Sequence, residues 1–123
     1  MKQTVFLEEK TNYFKVKNSQ NKQAIFDKSC KQISDWFNLI SSEGLVSGQS
    51  NYYVAKKDHR QAIFDKEGNQ ISKWFDRIEP YGLVEGKSNY YVVKRYIDEY
   101  VYKEAIFDKF LEYLTGIETL TIK

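Results

Sequence analysis

The sequence predicts an all-β fold, mainly antiparallel, made of stacked repeat units of β-meanders and hairpins. Three observations carry that prediction. Residues 23–60 align without gaps to residues 61–98 and are identical at 22 of 38 positions. Within each copy, short segments rich in Tyr, Phe, Ile and Val alternate with turns containing Gly, Asn or Asp, the pattern of pleated strands and their connections. Ten Tyr and eight Phe in 123 residues give a chain of single-domain length much bulky apolar surface, although hydrophobic residues make up only 41%. Self-similarity at a fixed period marks an array whose units bury their apolar faces against one another. The chain is therefore expected to form one repeat domain over 1–123. It divides into a leading half-unit at 1–22, unit one at 23–60, unit two at 61–98 and a closing half-unit at 105–123.

The elements follow in order. Asn12, Tyr13, Phe14, Lys15, Val16 and Lys17 echo the aromatic segments that begin at Asn51 and Asn89. Tyr52-Tyr53-Val54-Ala55-Lys56-Lys57 and Gln61-Ala62-Ile63-Phe64-Asp65 read as strands, with Asp58-His59-Arg60 as the hairpin loop between them. Lys66-Glu67-Gly68-Asn69 supplies the next turn, where Gly68 is free to take positive φ. Gln70-Ile71-Ser72 resumes an extended pattern, and a Gly-containing return at 81–86 closes the unit. One segment carries a conflicting signal. Ile33, Trp36, Phe37 and Ile40 fall at i, i+3, i+4 and i+7, and Ile71, Trp74, Phe75 and Ile78 repeat that spacing. Segments 32–40 and 70–78 are either short helices capped by Ser34 and Ser72 or bent strands. Their length favours strands, because about two turns is marginal for a helix. The tail at 110–114 reads as a short helix ahead of a last strand, Thr119–Ile122.

Composition narrows the function. Nineteen basic and 17 acidic residues leave a net charge of +2, too little for a strong field toward polyanions. Cys30 is the only cysteine, so neither an intramolecular disulfide nor a CxxC metal site exists, and an intracellular, cytoplasmic location is expected. The apolar run Val5-Phe6-Leu7 is too short for a signal peptide, and no stretch suits a membrane span. No phosphate-binding loop, HExxH or GxSxG motif occurs. Asp27, Asp65 and Asp108 recur before Lys in each copy; they read as metal or acid–base groups, or, more simply, as turn residues accepting backbone N–H bonds. The Trp36-Phe37 and Trp74-Phe75 pairs read as core before stacking platform. Cys30 and His59 lack partners for catalysis in the sequence. The expectation is a protein that is not an enzyme and needs no cofactor or metal.

Ala62-Ile63-Phe64-Asp65-Lys66-Glu67-Gly68-Asn69, Trp74-Phe75-Asp76, Gly82-Leu83-Val84 and Tyr91-Val92-Val93-Lys94 together resemble the WG repeat, a bacterial β module. The resemblance covers nearly the whole chain, although Gln23-Ala24, Gln61-Ala62 and Glu104-Ala105 stand where that module has Trp-Gly, so the chain resembles a diverged relative. The resemblance implies a protein-interaction module and assigns no catalytic residue.

The period breaks once. Val54 to Ala62 is eight positions and Val92 to Ala105 is thirteen, so five residues are inserted into a hairpin at 93–104. The added stretch, Arg95-Tyr96-Ile97-Asp98-Glu99-Tyr100-Val101-Tyr102-Lys103, has β-rich arms around Asp98-Glu99 and is expected to lengthen the hairpin by two or three rungs. Tyr96, Ile97, Asp98, Glu99, Tyr100 and Tyr102 are the candidate contact with a protein partner, since exposed Tyr anchors interfaces. The other reading is a cap over the last unit's open edge. Small size and the lack of catalytic motifs suggest an inhibitor, of the anti-CRISPR or immunity type, docking on a nuclease effector. The competing function is binding of single-stranded RNA or DNA through Tyr/Lys strands, with a basic stripe of Lys56, Lys57, Lys94 and Arg95. The chain is expected to be a monomer or weak dimer and to leave membranes alone.

Overall fold

A computed structural model describes residues 4–6, 12–109 and 119–122, and these form antiparallel strands with no helix among them. The first sheet joins β1 (Thr4–Phe6), β2 (Tyr13–Lys17) and β3 (Gln23–Asp27) in that order. The second joins β4 (Leu39–Ile40), β5 (Tyr52–Lys57) and β6 (Arg60–Asp65). The third runs β10-β9-β8-β7, from Thr119–Ile122 through Val101–Asp108 and Tyr90–Tyr96 to Arg77–Ile78. The all-β, antiparallel architecture is thus present. The helix expected at 110–114 lies outside the described residues. No helix among them is long and apolar enough to cross a membrane.

Asp58 and His59 alone turn the β5–β6 hairpin, with φ of 49° and 70°. Two consecutive positive φ values give a turn whose twist matches that of paired strands, which sets the register Lys57↔Arg60. Arg60 is therefore the first residue of β6 and not part of the loop.

Segments 32–40 and 70–78 are bent extended chain. Gln32 bridges to Phe26 and Phe37 to Gln23, so five steps along one segment face three along β3. The two surplus residues form a bulge, which shifts the side-chain phase and turns a strand alternation into helix-like spacing. Ser34 and Ser72 stabilise that bulge: each Oγ accepts the N–H of Ile25 or Ile63 at 2.8 Å and donates to the next carbonyl at 2.9 Å. After the bulge the chain crosses to the following sheet as β4 or β7. There the Gln23 and Gln61 carboxamide oxygens accept the N–H of Ile40 and Ile78 at 2.8 and 2.7 Å.

Two core layers lie between the three sheets. Ile25 of β3 packs with Phe37, Ile40, Leu45, Tyr53, Ala55, Ala62 and Phe64. Val54 and Ile63, on the opposite face of the second sheet, pack with Ile78, Leu83, Val84, Tyr91 and Val93. Ile25 and Ile63 are fully buried, whereas Ile106, at the same repeat position, is 38% exposed. Ile25 and Ile63 thus fill successive layers and do not stack on one another, and Ile106 lies on the face of the third sheet that no further described sheet covers.

The turn after each Asp also repeats. The Asp27 Oδ1 accepts the N–H groups of Ser29 and Lys31, and the Asp65 Oδ1 those of Glu67 and Asn69. The residue at positive φ is Gly68 in one copy and Cys30, φ 66°, in the other. A side chain in that region costs ~1–2 kcal/mol, partly offset by the ~0.5–1 kcal/mol entropic cost of glycine. Cys30→Gly should thus raise the unfolding free energy by about 0.5 kcal/mol. Gly68→Cys should lower it by more than about 1 kcal/mol, because its Cβ would also meet the Ile33 carbonyl oxygen at 2.5 Å. Urea titrations of the two variants should move in opposite directions; shifts of the same sign would contradict the strain argument.

Candidate functional site

The hairpin at 93–104 keeps the register of its counterpart as far as Arg95↔Lys103, which matches Lys57↔Arg60. Beyond that point one more pair forms, Tyr96↔Tyr102, and the loop closes with Ile97 N–H donating to the Val101 carbonyl at 2.9 Å. The expectation of two or three added rungs is corrected to one rung and a wider loop. Asp98 explains the difference, since its Oδ1 accepts the N–H groups of Tyr100 at 2.8 Å and Val101 at 3.0 Å, which would otherwise seek a ladder. The Asp76 carboxylate accepts Tyr96 N–H at 2.7 Å and fastens the arm to the bent segment.

Successive strand residues face opposite sides, so the candidate contact residues do not form one patch. Tyr96 and Tyr102 share a face, their rings edge-on with centroids 6.1 Å apart. Ile97 lies on the opposite side with Arg95 and Lys103, and Tyr100 stands in the loop. Tyr96, Ile97 and Tyr100 are 36%, 54% and 61% exposed. Tyr102 is half-buried, Asp98 holds the loop and Glu99 is exposed at its tip.

The face that carries Tyr96 and Tyr102 has an ionic centre absent from the preceding unit. The Glu79 Oε1 accepts from Arg77 Nε at 2.9 Å and from Lys94 Nζ at 3.0 Å. Lys94 also lies 3.7 Å from the Glu104 carboxylate and 4.6 Å from the centre of the Tyr102 ring. Tyr81, half-exposed, borders the cluster. Thirty-eight residues earlier, Leu39, Ser41, Glu43 and Lys56 occupy the positions of Arg77, Glu79, Tyr81 and Lys94. Arg77, Glu79 and Tyr81 were not among the sequence candidates. Their signal was available: they are sites where two otherwise similar copies differ, gathered on one face.

Burial by itself would raise the Glu79 pKa, but hydrogen bonds from Arg77 and Lys94 outweigh it and hold the carboxyl below its ordinary range. A depressed carboxyl contributes stability that is complete above its unfolded pKa, about 4.3, and drains away as pH falls through the lower folded value. Glu79→Gln should therefore be less stable than the parent at pH 7, with the gap closing as pH falls below about 4. A gap that is constant with pH, measured by urea unfolding, would contradict this.

The residues of the expected basic stripe are separated. Lys56 and Lys94 follow the pleat onto one face and Lys57 and Arg95 onto the other, and Lys94 is engaged by Glu79 and Glu104. Asp27 and Asp65 spend their carboxylates on turns, and among the described residues no cluster of three His, Cys, Asp or Glu side chains could hold a metal ion. Below the arm lies a groove of about 440 Å³ walled by Phe75, Val93, Ile97, Ala105 and Phe107, with Arg95, Lys103 and Glu104 at its edge. Compared with protein-family models, curated proteins and solved structures, the chain matches none of them.

Proposed function

We propose that this chain is a small, non-enzymatic protein-binding module, a diverged relative of the WG-repeat proteins, that docks through its 93–104 hairpin. The observation that supports this most is the exposure of Tyr96, Ile97 and Tyr100 on the one internal stretch that breaks the repeat. Large apolar side chains held on a rigid arm lose little entropy on binding, which is why Tyr is enriched at interfaces. The Tyr81, Tyr96 and Tyr102 rings around a satisfied ion cluster add a polar rim of the kind specific interfaces use. The partner class we favour is a nuclease effector, with the chain acting in the cytoplasm as an inhibitor of the anti-CRISPR or immunity type. The lack of a phosphate-binding loop, HExxH or GxSxG motif supports a binding role of that kind.

The test uses a photo-cross-linking side chain in place of Tyr96 or, for comparison, His59. The module reading expects one protein partner captured from position 96 and not from 59, and lost in a folded Tyr96→Ala/Tyr100→Ala variant. Unchanged capture by that variant would remove the hairpin as the site.

A further inference from the structure

The strand ends opposite the hairpin tips carry the same shallow groove twice. Tyr13 and Tyr52 pair with Asp27 and Asp65, so Asn12-Tyr13 and Asn51-Tyr52 hold the same place in successive units. The first groove, of about 390 Å³, lies between Asn12-Tyr13 and the turn from Leu45 to Asn51. The second, of about 450 Å³, lies between Asn51-Tyr52 and the turn from Leu83 to Asn89. Leu83, Gly86, Ser88 and Asn89 repeat Leu45, Gly48, Ser50 and Asn51 at a separation of 38 residues, and Asn51 lines both grooves. The turns are also locked together. Ser50 Oγ donates to the Val84 carbonyl at 2.7 Å, and a Cβ on Gly86 would run into the Gln49 carbonyl oxygen. The grooves are thereby held one layer apart, ~10 Å for packed sheets.

Local backbone geometry accounts for some of these residues. The Ser50 and Ser88 hydroxyls accept the Tyr52 and Tyr90 N–H groups at 3.1 and 3.2 Å, and Gly48 and Gly86 hold φ of 82° and 77°. It does not account for the asparagines. The Asn51 and Asn89 side chains are exposed, and among the described residues neither carboxamide has a partner. Each offers two N–H donors and an acceptor oxygen. Gln49 keeps its amide nitrogen for the groove, because its Oε1 accepts the Gly44 N–H at 2.8 Å.

Charge narrows the ligand. Of the residues lining the two grooves only Lys87 is ionic, in a chain where 29% are charged. An ionic ligand would gain little pairing there, and a polyanion would find no stripe of cations to follow. Carboxamides beside a tyrosine ring suit a neutral chain of hydroxyl groups that also presents an apolar ring face. Spacing points the same way. An extended peptide repeats its side chains every ~7 Å, out of step with the layers, whereas pairs of β-linked sugar rings repeat near the ~10 Å layer spacing.

We propose that the two grooves together bind a neutral β-linked oligosaccharide, with Asn51 at the centre of the site. The Asn51, Asn89 and Gln49 carboxamides exchange hydrogen bonds with its hydroxyls, and Tyr52 flanks a sugar ring. This site lies at the other end of the strands from the tip of the 93–104 hairpin and stands whether or not that hairpin docks a protein.

The probes are cellohexaose and the chitin hexamer, each beside its disaccharide, titrated into the full chain and followed by amide NMR. At least one hexamer is expected to perturb Gln49, Asn51, Tyr52 and Asn89, with the same affinity at low and high salt. Its disaccharide, which fills one groove, should bind ~tenfold or more weakly. Asn51→Asp keeps the side chain's shape, adds a charge to both grooves and should weaken the hexamer ~tenfold or more. His59→Asp, on the far hairpin, should leave binding unchanged. No perturbation by either hexamer at millimolar sugar overturns the inference, as do shifts centred away from both turns, equal affinity for disaccharide and hexamer, or indifference to Asn51→Asp. Salt-sensitive binding of an oligothymidylate at these amides, with no binding of sugar, would overturn it in favour of nucleic acid.

Discussion

Ile63→Ala is expected to lower the unfolding free energy by about 4 kcal/mol, toward the top of the ~2–5 kcal/mol range for such truncations. Ile63 is fully buried in the layer between the second and third sheets, and the Ser72 hydroxyl and the Ile71 N–H both bond to its backbone, so the site has little freedom to collapse around a cavity. Ile106→Ala, at the same repeat position but 38% exposed, should cost less than about 1 kcal/mol. The pair isolates layer packing from residue chemistry, because the same atoms are removed from equivalent places. Equal losses in urea titrations of the two variants would contradict the two-layer core.

Gly44→Ala should cost about 3 kcal/mol and lower the melting temperature by roughly 10 °C. Gly44 holds φ +89°, where a Cβ costs ~1–2 kcal/mol, and that Cβ would run into the Tyr52 carbonyl oxygen. That oxygen accepts the N–H of buried Leu45 at 2.8 Å, so relieving the clash strands a buried donor at a further ~1–3 kcal/mol. The added methyl would also press on Val84, at 2.9 Å from its Cγ1, which ties this turn to the following unit's core. A loss under about 1 kcal/mol would show that the turn relaxes, and would contradict so close an approach between the units.

Much of this architecture was legible because the repeat compares the chain with itself. The carboxylate turns at Asp27 and Asp65 and the burial of Ile25 and Ile63 follow from local patterns that occur twice, and the hairpin at Asp58-His59 follows from the polar residues between two β-rich segments. The bent segments were ambiguous for a physical reason. A two-residue bulge at Ser34 and Ser72 moves apolar side chains off strict alternation, and periodicity alone reads the result as helical. The length of the 93–104 arm was overestimated because β-propensity favours more rungs, while Asp98 takes the loop's N–H groups locally. The split of the candidate residues between two faces follows from the pleat. The Arg77–Glu79–Lys94 cluster was missed because single-residue reading treats scattered charges as solvated, whereas the sheet brings positions 77, 79 and 94 together.

The central claim is that the hairpin at 93–104 is the docking surface. Hydrogen exchange of the full chain, alone and bound to the partner captured through position 96, tests it most directly. The account predicts slowed exchange at Tyr96, Ile97, Glu99 and Tyr100, with no change at Asp58 and His59 on the equivalent hairpin of the preceding unit. Protection at Asp58 and His59 with none at 96–100 would contradict it, and capture of nucleic acid in place of protein would favour the competing function.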